Sequence, residues 1–363
     1  MKGNLAAMLV HSEPFEFREY EVPEVGDDDI IVKISTTNIC GSDVHLWHGR
    51  GLKLPELPVV LGHEAVGIVH AVGKNVSGDS YGDSLVEGDR VVYSYFSHCG
   101  ACPTCVNGET ACPNRARFWL QNSCDKHPYF RGTFGEYQYL KRGHWIFKAP
   151  EGLADELLSP VNCVFAQALM GLHTVGVDLG DTVVVQGVGG LGLYCCMFAK
   201  ERGVDQVIAI DRFNDRLALA REFGADYTLN VDETESSERL EAVKDWTNGT
   251  GADVLVEVAG TPLVVPEGIQ MMRPHGRYLL MGNITPGLTA EVDTGLVIRG
   301  MQTLQAAISY DQWVIPRVLR FLERVKDRYP FEKIISHRFP FEQINEAMVF
   351  ADQGKAIRVM VTM

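Results

Sequence analysis

The pattern of apolar and polar positions divides the chain into two kinds of segment. Up to about residue 158, short runs of β-branched residues at 30–34, 67–72 and 90–93 are separated by Gly, Pro and Asp. Such runs between turn-forming residues are typical of antiparallel or barrel-like β structure. We therefore predict a β-rich domain over residues 1–158.

From residue 159 onward, apolar runs alternate with amphipathic stretches. Thr182–Gln186 carries three consecutive valines, as a buried parallel strand does. Further strands are predicted at 206–210, 253–258 and 277–281, and helices at 191–202 and 215–223. This alternation predicts an α/β domain with a doubly wound parallel sheet over residues 159–310. Residues 311–363, with a last strand at 356–362, return to the β-rich domain, so the α/β domain is inserted within it.

A glycine-rich turn follows the predicted strand at 182–186. It matches the pattern G-x-G-x-x-G, and a strand before it, a helix after it and an acidic residue closing the next strand make the match specific for dinucleotide binding. The glycines permit a tight turn and let the helix N-terminus approach a pyrophosphate. The predicted binding residues of this turn are Gly187, Gly189, Gly190, Leu191 and Gly192.

The acidic residue is Asp211, which can accept hydrogen bonds from the ribose hydroxyls and would repel a 2′-phosphate. It predicts NAD rather than NADP. Arg212 and Arg216 follow closely and leave two interpretations open, surface charge or phosphate recognition. We favour surface charge, and we retain Arg212 as a candidate cofactor-binding residue.

Four cysteines lie within fourteen residues, at Cys99, Cys102, Cys105 and Cys112. Two overlapping C-x-x-C steps can direct thiolates at one metal ion, and a closed site of four thiolates is typical of structural zinc. The chain has nine cysteines, an odd number with clustered spacing, which favours metal binding in a reducing compartment over disulfides. Cys195 and Cys196 fall within a predicted helix and are expected to be packing residues.

Charge and hydropathy exclude several classes of function. The net charge of -14 argues against binding to nucleic acid. No apolar stretch has the length and composition of a membrane-spanning helix, and the apolar run within residues 1–10 is too short for a signal peptide. We expect a cytoplasmic protein that acts on a small molecule.

Two further polar motifs, Cys40-Gly-Ser42-Asp43-Val-His45 and Gly62-His63-Glu64, lie beside predicted strands. With the four-cysteine segment, the glycine-rich turn and residues 251–257, they occur in the order found in the zinc-dependent medium-chain alcohol dehydrogenase family. The chain resembles this family over essentially its whole length. The resemblance implies a GroES-like catalytic domain that contains an inserted Rossmann domain.

The resemblance also implies a catalytic zinc held by Cys40, His63 and Cys163. Cys163 has an alternative interpretation as a small buried apolar residue. Glu64 could approach the zinc, and Asp43 could orient a ligand histidine.

A second, structural zinc would occupy a lobe at about residues 95–115. The spacing between Cys105 and Cys112 is one residue shorter than is usual in the family. Cys124 is therefore kept as a reserve fourth ligand.

In the mechanism that the resemblance implies, Ser42 accepts the substrate proton and His45 passes it to solvent. His45 could equally be an ordinary surface histidine. Arg358 matches an arginine that pairs with the cofactor pyrophosphate, although a surface arginine is an equal alternative. Aromatic residues that could line an apolar substrate cleft are Trp47, Tyr95, Phe118 and Trp119.

The sequence therefore predicts a zinc-dependent NAD alcohol dehydrogenase acting on a secondary, bulky or cyclic alcohol or the corresponding ketone. One alternative is a polyol or amino-alcohol dehydrogenase similar to the sorbitol or threonine enzymes, which usually carry a carboxylate where this chain has Cys163. A minor alternative is an inactive zinc-stabilised binding scaffold. The family commonly forms dimers or tetramers, so a homodimer or homotetramer is expected.

Overall fold

A computed structural model of the chain describes residues 1–51, 54, 56–108, 112–114 and 120–363. It divides into two compact units. The first comprises Met1–Cys163 and Asp311–Met363, and the second comprises Val164–Tyr310. The second unit is thus inserted in the sequence of the first, and the first division falls five residues later than the position proposed from the sequence, because the chain up to Cys163 still packs with the β-rich unit.

The strands of the described residues are β1 Lys2–Met8, β2 Glu16–Glu21, β3 Ile30–Ile39, β4 Val59–Val60, β5 Glu64–Val72, β6 Arg90–Ser97, β7 Tyr137–Leu140, β8 His144–Lys148, β9 Thr182–Gln186, β10 Gln206–Asp211, β11 Tyr227–Asn230, β12 Ala252–Glu257, β13 Met272–Leu280, β14 Thr303–Ala306, β15 Ile335–Pro340 and β16 Arg358–Thr362.

The α-helices of the same residues are α1 Gly41–Trp47, α2 Pro103–Val106, α3 Asp155–Leu158, α4 Ala166–Thr174, α5 Gly190–Glu201, α6 Asn214–Glu222, α7 Ser236–Trp246, α8 Val265–Met271, α9 Thr294–Gly300, α10 Val314–Val325 and α11 Ile344–Asp352. A π-helix at Val161–Phe165 and 3₁₀ turns at Pro262–Val264, Phe331–Lys333 and Phe341–Gln343 complete the set described here. No helix among the described residues is long and apolar enough to cross a membrane.

The first unit is built on two sheets. The larger has the strand order β15-β16-β3-β5-β6-β8, with β7 also pairing with β3, and the smaller has the order β2-β1-β4. Neighbours in the larger sheet are antiparallel except β15 and β16. Val32, Val69, Val91 and Tyr93 form part of its buried core. The predicted β-rich character of this part of the chain is confirmed.

The second unit is a six-stranded parallel sheet with the order β11-β10-β9-β12-β13-β14. This is the strand order of a dinucleotide-binding sheet, in which successive strands are added on one side of β9 up to β11 and then, from β12 onward, on its other side. All five residues of β9 are buried, which explains its continuous apolar run. The predicted parallel sheet is confirmed, although β13 starts five residues before the predicted strand.

The close approach of β3 and β5 depends on Gly67. A Cβ atom at this position would lie 2.6 Å from Val32 Cγ1 and would collide with the carbonyl oxygen of Lys33. A side chain here would push apart the two central strands of the larger sheet. Gly41, in contrast, has no atom of the described residues within 4 Å of a Cβ position.

We expect Gly67→Ala to lower the free energy of unfolding by about 1–3 kcal/mol, because the added methyl group overpacks the strand pair. Gly41→Ala is the matched control, and its effect should stay below about 1 kcal/mol. Urea unfolding followed by circular dichroism measures both. Equal stability of the two variants would contradict the packing argument.

Candidate functional site

Three segments of the first unit bring metal-binding side chains to one point. Cys40 caps the N-terminus of α1, His63 and Glu64 lie at the start of β5, and Cys163 lies in the π-helix. One ligand atom from each of the four side chains lies within 4.8 Å of the others. The structure therefore gathers the residues expected to hold a catalytic zinc, together with Glu64.

Asp43 fixes two of these segments relative to each other. Its buried carboxylate accepts a hydrogen bond from the backbone N–H of Cys40 at 2.9 Å and another from the N–H of Gly62 at 3.1 Å. The carboxylate also lies 3.3 Å from His63 Nδ1. With Nδ1 turned toward Asp43, Nε2 is the ring nitrogen left to bind a metal.

The pKa values of Cys40 and His63 are displaced in opposite directions, as in a thiolate–imidazolium pair. The hydrogen bond from Cys163 and the proximity of His63 hold the pKa of the Cys40 thiol well below its usual value, against the effect of burial. Burial lowers the pKa of His63, but Asp43 and Cys40 outweigh it and raise that pKa to about 10. These shifts favour the thiolate of Cys40, the form that binds zinc, whereas His63 must lose its proton when it binds a metal.

Glu64 is paired with Arg358, the first residue of β16. Both side chains are buried, and Arg358 Nη2 donates to Glu64 Oε2. Burial lowers the pKa of Arg358, while Cys40 and Asp43 oppose this effect. The contact joins residues 294 positions apart in the sequence, and no local pattern indicated it. The predicted contact of Arg358 with a pyrophosphate stays a prediction.

These residues fit a zinc ion. Two thiol groups and an imidazole are the ligand types that zinc prefers, and they leave a fourth position open. The second carboxylate oxygen of Glu64, Oε1, is buried and has no hydrogen-bond partner among the described residues. A buried carboxylate oxygen without a partner is costly, and a nearby cation would compensate for it.

Ser42 and His45 lie three residues apart on α1 and therefore on one side of the helix. Burial, with a smaller contribution from Arg50, lowers the pKa of His45, so its ring is neutral at pH 7 and can accept a proton. Both are partly exposed. Their predicted roles in proton transfer stay predictions.

The aromatic candidates for a substrate cleft differ in position. Tyr95 is buried and packs edge-on against the His63 ring, with ring centroids 4.9 Å apart. Trp47 donates its ring N–H to the carbonyl of Glu13 at 2.9 Å, so its polar edge is used within the fold. Phe118 and Trp119 lie outside the described residues.

The four-cysteine lobe forms a second group of potential ligands, Cys99, Cys102, Cys105 and Cys112, with the four sulfur atoms within 4.8 Å of one another. Backbone N–H groups, first that of Ala101, and the side chain of Asn114 lower the pKa of Cys99 to about 6. Cys124 is buried elsewhere and is not part of this group.

The glycine-rich turn of the second unit connects β9 to α5, with Gly189 as the N-cap. Gly187 has φ +92°, and a Cβ there would lie 2.6 Å from Ala259 Cα. A Cβ at Gly192 would collide with the Gly187 carbonyl. Gly190 and Leu191 form the first turn of α5, so the backbone N–H groups of this helix start are available to a pyrophosphate.

Asp211 ends β10 and holds the turn in place. Its Oδ2 accepts from the N–H of Val188 at 2.7 Å, and its Oδ1 accepts from the N–H groups of Arg212 and Phe213. The Arg212 guanidinium pairs with Asp232 on the surface at 3.2 Å. Arg216 lies over the Phe213 ring, and burial lowers its pKa.

Comparison with models of protein families gives one match in the N-terminal part of the chain and one in the part that contains the parallel sheet. Residues 26–151 match the family model described as alcohol dehydrogenase GroES-like domain, and residues 190–324 match zinc-binding dehydrogenase. The chain belongs to the zinc-dependent medium-chain dehydrogenase/reductase family. The expected fold class, a Rossmann domain inserted in a GroES-like domain, is confirmed. The chain is an oxidoreductase acting on CH–OH groups.

Relatives within this family span the full chain. The 5-exo-hydroxycamphor dehydrogenase of Pseudomonas putida is 29% identical, with 98% of each chain covered. The L-threonine 3-dehydrogenase of Bacillus subtilis is 28% identical, with 99% of each covered. The D-arabitol-phosphate dehydrogenase of Enterococcus avium is 29% identical, covering 95% of this chain and 93% of the relative.

Solved structures of the family superimpose closely. An alcohol dehydrogenase from Thermotoga maritima has a TM-score of 0.94 at 29% identity and covers 100% of this chain and 99% of its own. A protein described as a short chain alcohol dehydrogenase from Escherichia coli CFT073, in complex with NADH, has a TM-score of 0.84 at 25% identity, and the match covers 100% of this chain and 99% of its own.

We expect Cys112→Ser to abolish metal binding by the four-cysteine lobe, because it removes one of four grouped thiols. Cys124→Ser is the matched control and should leave metal binding intact. Zinc content after gel filtration, measured by atomic absorption, tests both. Loss of zinc from Cys124→Ser with retention in Cys112→Ser would show that Cys124 is the fourth ligand.

Proposed function

We propose that the chain is a zinc-dependent NAD(H) alcohol dehydrogenase that oxidises a secondary alcohol, bulky or cyclic, or reduces the corresponding ketone. The observation that carries the proposal is the convergence of Cys40, His63 and Cys163. Two thiol groups and one imidazole form the ligand set of a catalytic zinc site with one open position. The four-cysteine lobe supports a second, structural zinc, giving two ions per chain.

When bound, zinc would supply a Lewis acid that makes a substrate hydroxyl more acidic, and a nicotinamide cofactor would supply the hydride acceptor. The chain's own residues provide the rest. Ser42 takes the hydroxyl proton, and the neutral ring of His45 accepts it and passes it toward solvent. Asp43 holds His63 in the orientation that a ligand needs. Glu64 supplies negative charge next to the ligands, and Arg358 balances it.

The proposed cofactor is NAD. Asp211 is the last residue of β10, where an acidic residue in this type of sheet accepts hydrogen bonds from the ribose hydroxyls, and its charge disfavours a 2′-phosphate. The pairing of Arg212 with Asp232 supports this choice, because that guanidinium already has an anionic partner. The NADH complex of the Escherichia coli relative supports it as well.

The surroundings of His63 support this substrate class. Tyr95 places an aromatic ring against this ligand, so it supports a cleft with an apolar wall. The relative that acts on hydroxycamphor, a cyclic secondary alcohol, favours the same class. The threonine and arabitol-phosphate relatives support an amino-alcohol or polyol substrate as the second candidate. Cys163 stands against that candidate, since a resemblance to the sorbitol or threonine enzymes would imply a carboxylate at this position.

We also propose that the chain forms a homodimer or homotetramer in the cytoplasm. Strand β14 is at one edge of the parallel sheet, and Leu304 on it is exposed. Ile298 and Met301, on and just after the neighbouring α9, are exposed as well. An exposed sheet edge beside apolar side chains is suited to pairing with a second copy. The reduced thiols of the lobe are suited to the cytoplasm.

The central experiment follows reduced cofactor formation with a panel of alcohols, using NAD and NADP at equal concentration, with and without a chelator. We expect turnover of cyclic secondary alcohols with NAD, because Tyr95 places an aromatic ring beside His63 and the charge of Asp211 disfavours a 2′-phosphate. We expect the chelator to abolish it. A preference for NADP, for short primary alcohols or for polyols would refute the corresponding part of the proposal, and turnover that survives complete zinc removal would refute the mechanism.

Ser42→Ala is expected to lower turnover about a hundredfold or more, because it removes the first proton acceptor. Ser84→Ala, at an exposed loop position, is the control and should turn over at the rate of the unmodified chain. Initial rates with the best alcohol of the panel measure both. Unchanged turnover in Ser42→Ala would remove Ser42 from the proton path.

A further inference from the structure

The π-helix that carries Cys163 is held in place by a buried amide. Asn162, directly before this cysteine, is fully buried. Its Nδ2 donates to the carbonyl of His63 at 2.9 Å and to the carbonyl of Tyr93 at 2.8 Å. One side chain thus connects the Cys163 segment to the backbone of another candidate ligand and to β6.

A second buried amide, that of Asn38, contacts the same segment at Ser159, four residues before Cys163. Asn38 Nδ2 donates to Ser159 Oγ at 2.9 Å, and both residues are buried. Asn38 lies on β3, two residues before Cys40, and its backbone is opposite Glu64 in the sheet. The segment leading to Cys163 is therefore attached to β3 just before Cys40 and to the backbone of His63 just before β5.

Each of these buried contacts joins a different pair of the segments that carry the candidate ligands. Asp43 joins the segment of Cys40 to that of His63. Asn162 joins the segment of His63 to that of Cys163. Because the acceptor is the backbone of His63 itself and the donor is next to Cys163, only a short path separates the two ligands. A π-helix is rare and occurs mostly as a single turn, frequently at functional sites, so external contacts such as this one matter for holding Cys163 in place.

We propose that Asn162 is a positioning residue that fixes Cys163 relative to His63 and so sets the zinc affinity of the site. The inference deepens the proposed function and rests on it, since it assumes that Cys40, His63 and Cys163 bind zinc. Asn162 itself supplies no ligand atom to the site. Its effect reaches the metal through the position of the neighbouring sulfur.

The test uses Asn162→Asp, which keeps the shape of the side chain but replaces the donating NH₂ with an oxygen that two carbonyl oxygens repel. The matched control is Asn345→Asp on α11. Asn345 also bonds to backbone groups of its own unit, donating to the Phe15 carbonyl and accepting from the Phe15 N–H. Its contacts involve no candidate ligand.

Zinc release from the purified chain into the chromophoric chelator 4-(2-pyridylazo)resorcinol is followed by absorbance. The unmodified chain should show two phases, and the phase missing from Cys163→Ser belongs to the proposed catalytic site. We expect Asn162→Asp to speed this phase by about 10–100-fold, the size of effect that outer ligand contacts have on metal affinity. The phase of the four-cysteine lobe should not change, and Asn345→Asp should change neither.

Ser159→Ala provides a milder second variant, which removes only the contact with Asn38 and should speed the same phase by a smaller factor. A folded Asn162→Asp that releases both ions at the original rates would overturn the inference. If Asn162→Asp does not fold, Asn162→Ala removes the same two bonds without adding a charge, and an unchanged rate in that variant would overturn the inference. A single phase from the unmodified chain, that of the four-cysteine lobe, would instead show that the proposed function is wrong.

Discussion

The candidate metal site depends on one buried carboxylate. Asp43 is fully buried and accepts from the backbone N–H groups of Cys40 and Gly62 while it faces the His63 ring. A buried charge is tolerated only when donors or opposite charges surround it. Asp43 meets this condition only if the start of α1 and the start of β5 are held together. The same interaction therefore stabilises the carboxylate and sets the distance between two candidate ligands.

The register of the sheet makes this contact possible. β3 and β5 are antiparallel neighbours, and Asn38 lies opposite Glu64 at the ends of the two strands. Cys40 follows the end of β3 and His63 precedes the start of β5, so both lie at the same edge of the sheet, next to that pair. Glu64 is then paired with Arg358 of β16, which itself pairs with β3. A group of buried ionisable side chains with displaced pKa values is typical of a functional site, because a purely structural core avoids the cost of burying them.

In the second unit, the candidate cofactor site depends mainly on backbone geometry, whereas the candidate metal site of the first unit depends on buried charged side chains. Gly187 and Gly192 leave no space for side chains where β9 meets α5. The carboxylate of Asp211 holds the turn through Val188 and also supplies negative charge at the end of β10. The helix start, the tight turn and the acidic residue depend on a few positions close together in the sequence, which is why a short motif identifies them.

What the sequence by itself determined is local. The alternation of apolar runs indicated the parallel sheet, the glycine pattern indicated the nucleotide turn, and the spacing of Cys99 to Cys112 indicated a metal-binding lobe, because each depends on neighbouring residues. Tertiary structure alone decided the contacts between distant segments. No sequence pattern indicates the pairing of Glu64 with Arg358. The same is true of the bonds that Asn162 donates to the carbonyls of His63 and Tyr93. They arise from strand register and from the need of buried polar groups for partners, and both exist only in the folded chain.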